Sequence, residues 1–140
     1  MKVEHIGIAV ESLMTSIPLF EKLLNTPCYK TEDVWSENVK TAFFKIGETK
    51  VELLQSLKSD GVIKKFLDKK GEGIHHIAFE VEDIYKEIKR LKKEGFEILN
   101  ETPKQGADNK LICFVNPKGT NNILIELCQE KKDAPATPAV

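Results

Sequence analysis

His5, Glu52, His76 and Glu126 are the residues of this chain whose types and spacing could do chemistry together. The two histidines sit in matching contexts, Glu4-His5-Ile6-Gly7-Ile8-Ala9-Val10 and His75-His76-Ile77-Ala78-Phe79-Glu80-Val81, 71 positions apart. The two glutamates also match, Val51-Glu52-Leu53 against Ile125-Glu126-Leu127, at an offset of 74. A carboxylate in the middle of an apolar strand is costly to desolvate unless something pairs with it. One divalent cation held by two imidazoles and two carboxylates removes that cost, and such a nitrogen and oxygen donor set favours Co, Mn, Ni, Zn or Fe over calcium. A lone strand histidine is ordinarily a satisfied or half-exposed side chain, and a lone strand glutamate is the polar side of a two-faced sheet. Both residue types recur at repeat-equivalent positions, and that coincidence favours a four-ligand metal site.

These residues need strands to hold them, and the repeat supplies them twice. A period-2 strand opens each half, Val3 to Val10 and Ile74 to Val81. Ser12 and Asp83 are the expected helix N-caps. Ile17, Phe20, Leu23 and Leu24 form one apolar helix face; Ile84, Ile88 and Leu91 form the other, with Gly95 as its stop. Three more strands are predicted per half, near Pro27-Asp33, Val39-Ile46 and Lys50-Gln55, then near Glu97-Glu101, Leu111-Asn116 and Asn122-Cys128. Turn signals stand at Gly47-Glu48 and at Asn116-Pro117-Lys118-Gly119. The reading is α+β: two tandem βαβββ modules whose sheets form a curved, cup-like mixed sheet with helices outside. The first module spans 1–57, a linker helix 58–73, the second module 74–129, and a flexible tail 130–140. Strand alternation puts His5, Gly7 and Ala9 on one face and Ile6, Ile8 and Val10 on the other. Two small residues beside the histidine leave room for a cavity. By the same alternation His75 falls opposite His76 and reads as a structural or supporting residue, while Glu80 reads as a strand-end carboxylate.

Composition narrows the partners. Formal net charge is -1 and pI about 6.3, so there is no electrostatic footprint for nucleic acid. No apolar run approaches the roughly 20 residues of a membrane span, and Glu4 and His5 interrupt any signal-peptide core. A cytoplasmic protein is expected. Cys28, Cys113 and Cys128 lack CxxC spacing and read as reduced, semi-buried side chains.

With these motifs the chain resembles the vicinal-oxygen-chelate (glyoxalase/bleomycin-resistance/dioxygenase) superfamily, and within it the methylmalonyl-CoA epimerases. The resemblance runs from about Val3 to Gln129. It rests on His5-Ile-Gly-Ile-Ala-Val10, Gly47-Glu-Thr-Lys-Val-Glu-Leu-Leu54, Gly73-Ile-His-His-Ile-Ala78, Pro117-Lys118 and Leu124-Ile-Glu-Leu127. It implies His5, Glu52, His76 and Glu126 as ligands of one divalent metal ion and an acyl-CoA or other thioester substrate. It further implies a homodimer, and α-proton abstraction with the metal stabilising the enolate. Inversion needs acid/base groups on both faces of that enolate, which the resemblance assigns to Glu126 and to a glutamate near Ser36. Here the chain reads Trp35-Ser36-Glu37, so Glu37 stands one position late, where a one-residue strand shift would reverse its face. Asn116 stands where relatives carry a histidine. The alternatives are a glyoxalase I-type lactoylglutathione lyase, which needs the same ligands, and a non-catalytic binding member of the superfamily. An extradiol dioxygenase fits less well, since it uses two histidines and one carboxylate.

Overall fold

The structure, a computed structural model, describes residues 1–131. Its elements are β1 (Lys2–Ala9), α1 (Leu13–Leu24), β2 (Lys30–Val34), β3 (Val39–Ile46), β4 (Thr49–Ser56), α2 (Val62–Lys70), β5 (Gly73–Glu80), α3 (Ile84–Lys93), β6 (Lys104–Gln105), β7 (Lys110–Val115) and β8 (Ile125–Glu130). One mixed sheet holds all eight strands in the order β2-β3-β4-β1-β5-β8-β7-β6. β1 and β5 meet antiparallel at its centre, and each pairs in parallel with the last strand of its own half, β4 or β8. The fold is therefore α+β, two βαβββ repeats joined across the β1–β5 seam into a curled half-barrel. The tail expected at 130–140 lies, beyond Lys131, outside the described residues.

The repeat extends to helix capping. Gln55, at the end of β4, accepts the Leu13 N–H at 2.7 Å, and its equivalent Gln129 on β8 accepts the Ile84 N–H at 2.8 Å. Each parallel strand thus starts the helix of its own half. Asp83 adds its carboxylate as acceptor for the N–H groups of Tyr85 and Lys86. Ser12 occupies the N-cap position of α1, but its hydroxyl makes no capping bond, because Gln55 already serves that helix end.

Two helices cover the convex face. Leu13, Ile17 and Phe20 of α1 pack against Ala42, Phe44 and Leu53, while Ile84 and Ile88 of α3 pack against Val81, Cys113, Val115 and Leu127. α2 instead lies on the concave side at one end of the cup, where Ile63 and Leu67 meet Ala9, Val34, Val39 and Leu54. The strand expected at Glu97-Glu101 reduces to a single bridge, Ile98 to Val115; the pairing strand, β6, comes later. The cause is Asn100, whose side chain takes over the ladder: its carbonyl accepts the Phe114 N–H at 2.9 Å and its amide donates to the Ile112 carbonyl at 3.2 Å. Cys28 is half-buried, Cys113 and Cys128 are buried, and all three are free thiols.

Candidate metal centre

Strand register brings the histidines together. Across the seam His5 stands opposite Ala78 and Gly7 opposite His76, so each imidazole faces a small residue and the two rings are diagonal neighbours. Their Nε2 atoms lie 3.0 Å apart, with the rings edge to face. Gly7 is required by close approach, not by its backbone angles: a Cβ there would stand 2.2 Å from His76 Cε1. Glu126 shares the face through its pairing with Ala78, its carboxylate oxygens 3.4 Å from His5 Nε2 and 3.6 Å from His76 Nε2. Glu52, paired with Gly7, reaches the other edge of the first ring, 3.1 Å from His5 Nδ1. All four side chains are buried. With Glu4 they form two overlapping groups that share His5: His5, His76 and Glu126, and Glu4, His5 and Glu52, each with potential ligand atoms within 4.8 Å of one another.

The first group fits a divalent ion. Donors about 2.1 Å from an ion lie about 3.0 Å apart at adjacent octahedral positions and about 3.4 Å apart in a tetrahedron. The His5–His76 and His5–Glu126 separations, 3.0 and 3.4 Å, match these values, and the other Glu126 oxygen lies slightly farther, 3.6 Å from His76 Nε2.

Two bulges override strand alternation beside the histidines. In the β1–β5 ladder Val3 pairs with Phe79 and His5 with Ala78, leaving Glu4 as an extra residue; farther along, Gly7 pairs with His76 and Ile8 with Ile74, leaving His75 extra. Each extra residue turns toward the cluster histidine that follows it. Glu4 Oε1 accepts from His5 Nδ1 at 3.1 Å, and His75 Nδ1 lies 2.9 Å from His76 Nδ1. Glu4 is buried, and Lys50 approaches it at 3.2 Å while also pairing with Asp108. The expectation that His75 points away from His76 is corrected by the bulge.

Burial and crowding set the protonation of the ion-free cluster. Burial pushes the Glu126 carboxyl up to about 8 and that of Glu52 to about 7, against the pull of His5. Burial also disfavours charge on His5, yet Glu52, the bond to Glu4 and Glu126 together raise it to about 9. Burial works against Glu4 too, but His5 and Lys50 hold it down at about 2. His76 stays well below the ordinary histidine range, through burial and its imidazole neighbours, and burial with the Lys70 charge holds His75 at about 4. The cluster is one cationic imidazole among acids, with a neutral imidazole pair behind it.

The cluster forms the floor of a cleft whose wall includes Val34, Val39, Leu54 and Ile63. Glu37 lines this cleft. It belongs to the 35–38 turn between β2 and β3, with its N–H bonded to the Val34 carbonyl, so the face-reversing register argument does not apply to it. Its Oε1 is 2.8 Å from Lys104 Nζ, an ion pair without hydrogen-bond alignment. Thr41, fully buried on β3, lines the same cleft with a hydroxyl that has no partner among the described residues. Glu80 pairs instead with Lys2 and Lys110, and Asn116 caps the turn before β8. Sequence reasoning missed Glu4, Thr41 and Lys50. For Glu4 a signal existed, since His5 and His76 each follow a polar residue where the strand pattern calls for an apolar one.

Comparison with known proteins gives consistent relatives. Residues 4–114 match the family model of the Glyoxalase/Bleomycin resistance protein/Dioxygenase superfamily. The uncharacterized protein YqjC of Bacillus subtilis is 37% identical over 132 residues, covering 94% of both chains. An ethylmalonyl-CoA/methylmalonyl-CoA epimerase of Cereibacter sphaeroides is 36% identical, covering 91% of this chain and 97% of its own. Among solved structures, a methylmalonyl-CoA epimerase in complex with methylmalonyl-CoA and NH4+ superposes with a TM-score of 0.88 at 29% identity, covering 92% of this chain and 94% of that one.

Proposed function

Since this chain belongs to the glyoxalase/bleomycin resistance protein/dioxygenase superfamily, we propose that it is a metal-dependent epimerase of methylmalonyl-CoA or a similar 2-methyl-malonyl thioester. His5, His76 and Glu126 would hold the ion; Glu52, the fourth ligand the sequence suggests, lies against the opposite Nδ1 edge of the His5 ring and would have to turn past it to join them. A bound divalent ion supplies Lewis-acid polarisation of the substrate's thioester and carboxylate oxygens.

The protein's own task is to move one proton between two faces of the α-carbon. Glu126 and Glu37 are the carboxylates assigned to it. Glu126 stands on one side of the cleft beside the paired imidazoles, and burial raises its carboxyl above the ordinary carboxylate range when no cation is bound. Glu37 reaches the cleft from the β2–β3 turn, and its charge is among those holding Glu126 up. Lys104 keeps Glu37 oriented, and the apolar wall excludes water that would compete for the proton. The observation that carries this reading is the presence of two carboxylates, Glu126 and Glu37, from different halves of the repeat in one cleft with the paired imidazoles. An epimerase needs that arrangement; a module that only binds does not.

The test is α-proton exchange. Metal-loaded protein incubated with methylmalonyl-CoA in deuterated water should incorporate deuterium at the α position and interconvert the epimers, and chelation should stop both. Absence of exchange in the metal-loaded protein removes this function. Turnover of lactoylglutathione instead would move the chain to the lyases.

A further inference from the structure

We propose that Glu4 and His75, the two extra residues at the β1 and β5 bulges, are a matched pair of positioning residues. Each fixes the ring orientation and proton placement of the ligand histidine that follows it. This rests on the metal-site reading above and extends it to residues outside the ligand set.

The argument starts from what each atom can do. A carboxylate accepts and cannot donate, so the 3.1 Å contact between Glu4 and His5 requires a proton on His5 Nδ1. That leaves Nε2 as the His5 atom facing the second imidazole and Glu126. Glu52 lies at the same 3.1 Å from Nδ1 but without hydrogen-bond alignment, so Glu4 alone sets the ring and Glu52 remains available for other coordination. The same logic runs in the second half. With His76 Nε2 committed to the shared center, its proton belongs on Nδ1, and the atom in line to accept it is His75 Nδ1 at 2.9 Å. His75 is held by the edge-to-face contact of its ring with Phe66 of α2. Glu4 is held by Lys50, itself tied to Asp108.

Neither contact would exist in a regular strand, because residues adjacent in sequence point to opposite faces. One bulge in each half, placed just before the ligand histidine, turns both neighbours inward. A defect repeated at equivalent positions of a duplicated unit is a designed feature. Its chemistry differs between halves: a carboxylate behind His5 and an imidazole behind His76. A hydrogen-bonded partner behind a ligand histidine typically contributes roughly 10–100-fold in metal affinity.

The test compares wild type with Glu4→Ala, Glu4→Gln, His75→Phe and His75→Gln. Phenylalanine keeps the aromatic packing on Phe66 but accepts nothing; glutamine at either position keeps an acceptor. Two readouts are used on the full chain: Co2+ affinity by competition with a chelating dye, and the histidine tautomers from nitrogen-15 shifts of ion-free protein, with thermal melts to verify folding. His75→Phe and Glu4→Ala should weaken Co2+ binding by roughly 10–100-fold, and the glutamine variants should recover most of it. His76 should carry its proton on Nδ1 in wild type and lose that preference in His75→Phe. Unchanged Co2+ affinity in folded His75→Phe and Glu4→Ala overturns the proposal, as does an Nε2–H tautomer for wild-type His76. If wild type takes up no Co2+, the metal reading fails by itself, and the tautomer preference and its loss in His75→Phe still decide whether the bulge residues orient the rings. If Co2+ affinity responds as expected but no α-proton exchange occurs, positioning stands and the epimerase reading falls.

Discussion

Substituting Gly7→Ala adds one methyl group beside the cluster and should dismantle it. The added Cβ would lie 2.2 Å from His76 Cε1, 2.6 Å from Nδ1 and 2.7 Å from Nε2. Ordinary carbon contacts begin near about 3.5 Å, so the ring must retreat by about 1.3 Å. The backbones cannot absorb this, since Gly7 and His76 are directly paired and both strands have partners on their other sides. The ring therefore swings, carrying Nε2 away from the 3.0 Å and 3.6 Å separations to His5 and Glu126. Metal bonds tolerate about 0.2 Å, so affinity should fall by about 100-fold or more, while overpacking should cost about 1–3 kcal/mol of stability. Urea unfolding and Co2+ titration of wild type, Gly7→Ala, His76→Ala and the double variant form a complete cycle. Removing the ring removes the overlap, so the double variant should recover the stability lost to Gly7→Ala, with a coupling of about 1–3 kcal/mol, and still bind metal poorly. A Gly7→Ala protein as stable and as tightly metal-binding as wild type would refute the packing account of the site, as would a double variant that shows no relief.

Protons and metal should compete at this site. The ion-free values of about 7 for Glu52, 8 for Glu126 and 9 for His5 mean that binding must expel protons, so Co2+ affinity should rise from pH 6.5 to 9, with proton release read by calorimetry in buffers of different ionisation heat. All three values are raised above the unfolded ones, so the contribution of the two carboxyls is complete below pH 4.5 and lost by about 7 and 8, while that of His5 is complete below pH 6.5 and lost by about 9. Melting temperature of the ion-free protein should fall between pH 7 and 9.5, and metal should flatten that decline. Glu37→Gln should lower epimerisation about 100-fold or more with Co2+ affinity unchanged, and should leave α-proton exchange with one epimer by nuclear magnetic resonance; equal loss for both epimers would remove Glu37 from its assigned face. Thr41→Val, nearly isosteric, should raise ion-free stability by about 1 kcal/mol in urea unfolding, because the buried hydroxyl has no partner to lose among the described residues; a loss instead would reveal one.

Most of the scaffold was legible because duplication makes periodicity readable twice. The β1 and β5 strands and the face shared by His5 and Gly7 follow from alternation, and the helices after them from apolar residues at helical spacing. The strand misplaced at Glu97-Glu101 failed because a side chain, Asn100, can replace backbone pairing, which no hydrophobic pattern announces. Glu37 was read against strand register and belongs to a turn, where register has no meaning.

What the sequence determined by itself was the inventory: a doubled βαβββ unit, two histidines and two glutamates on the concave face, and small residues at Gly7 and Ala78 that leave the imidazoles room. Tertiary structure decided which atoms face one another. The antiparallel seam made the histidines diagonal neighbours, and the two bulges placed Glu4 and His75 behind them. Local patterns govern which face a side chain takes, since that depends on backbone geometry within a few residues. Bulges and seam register depend on strands 71 residues apart and are fixed only when those strands meet.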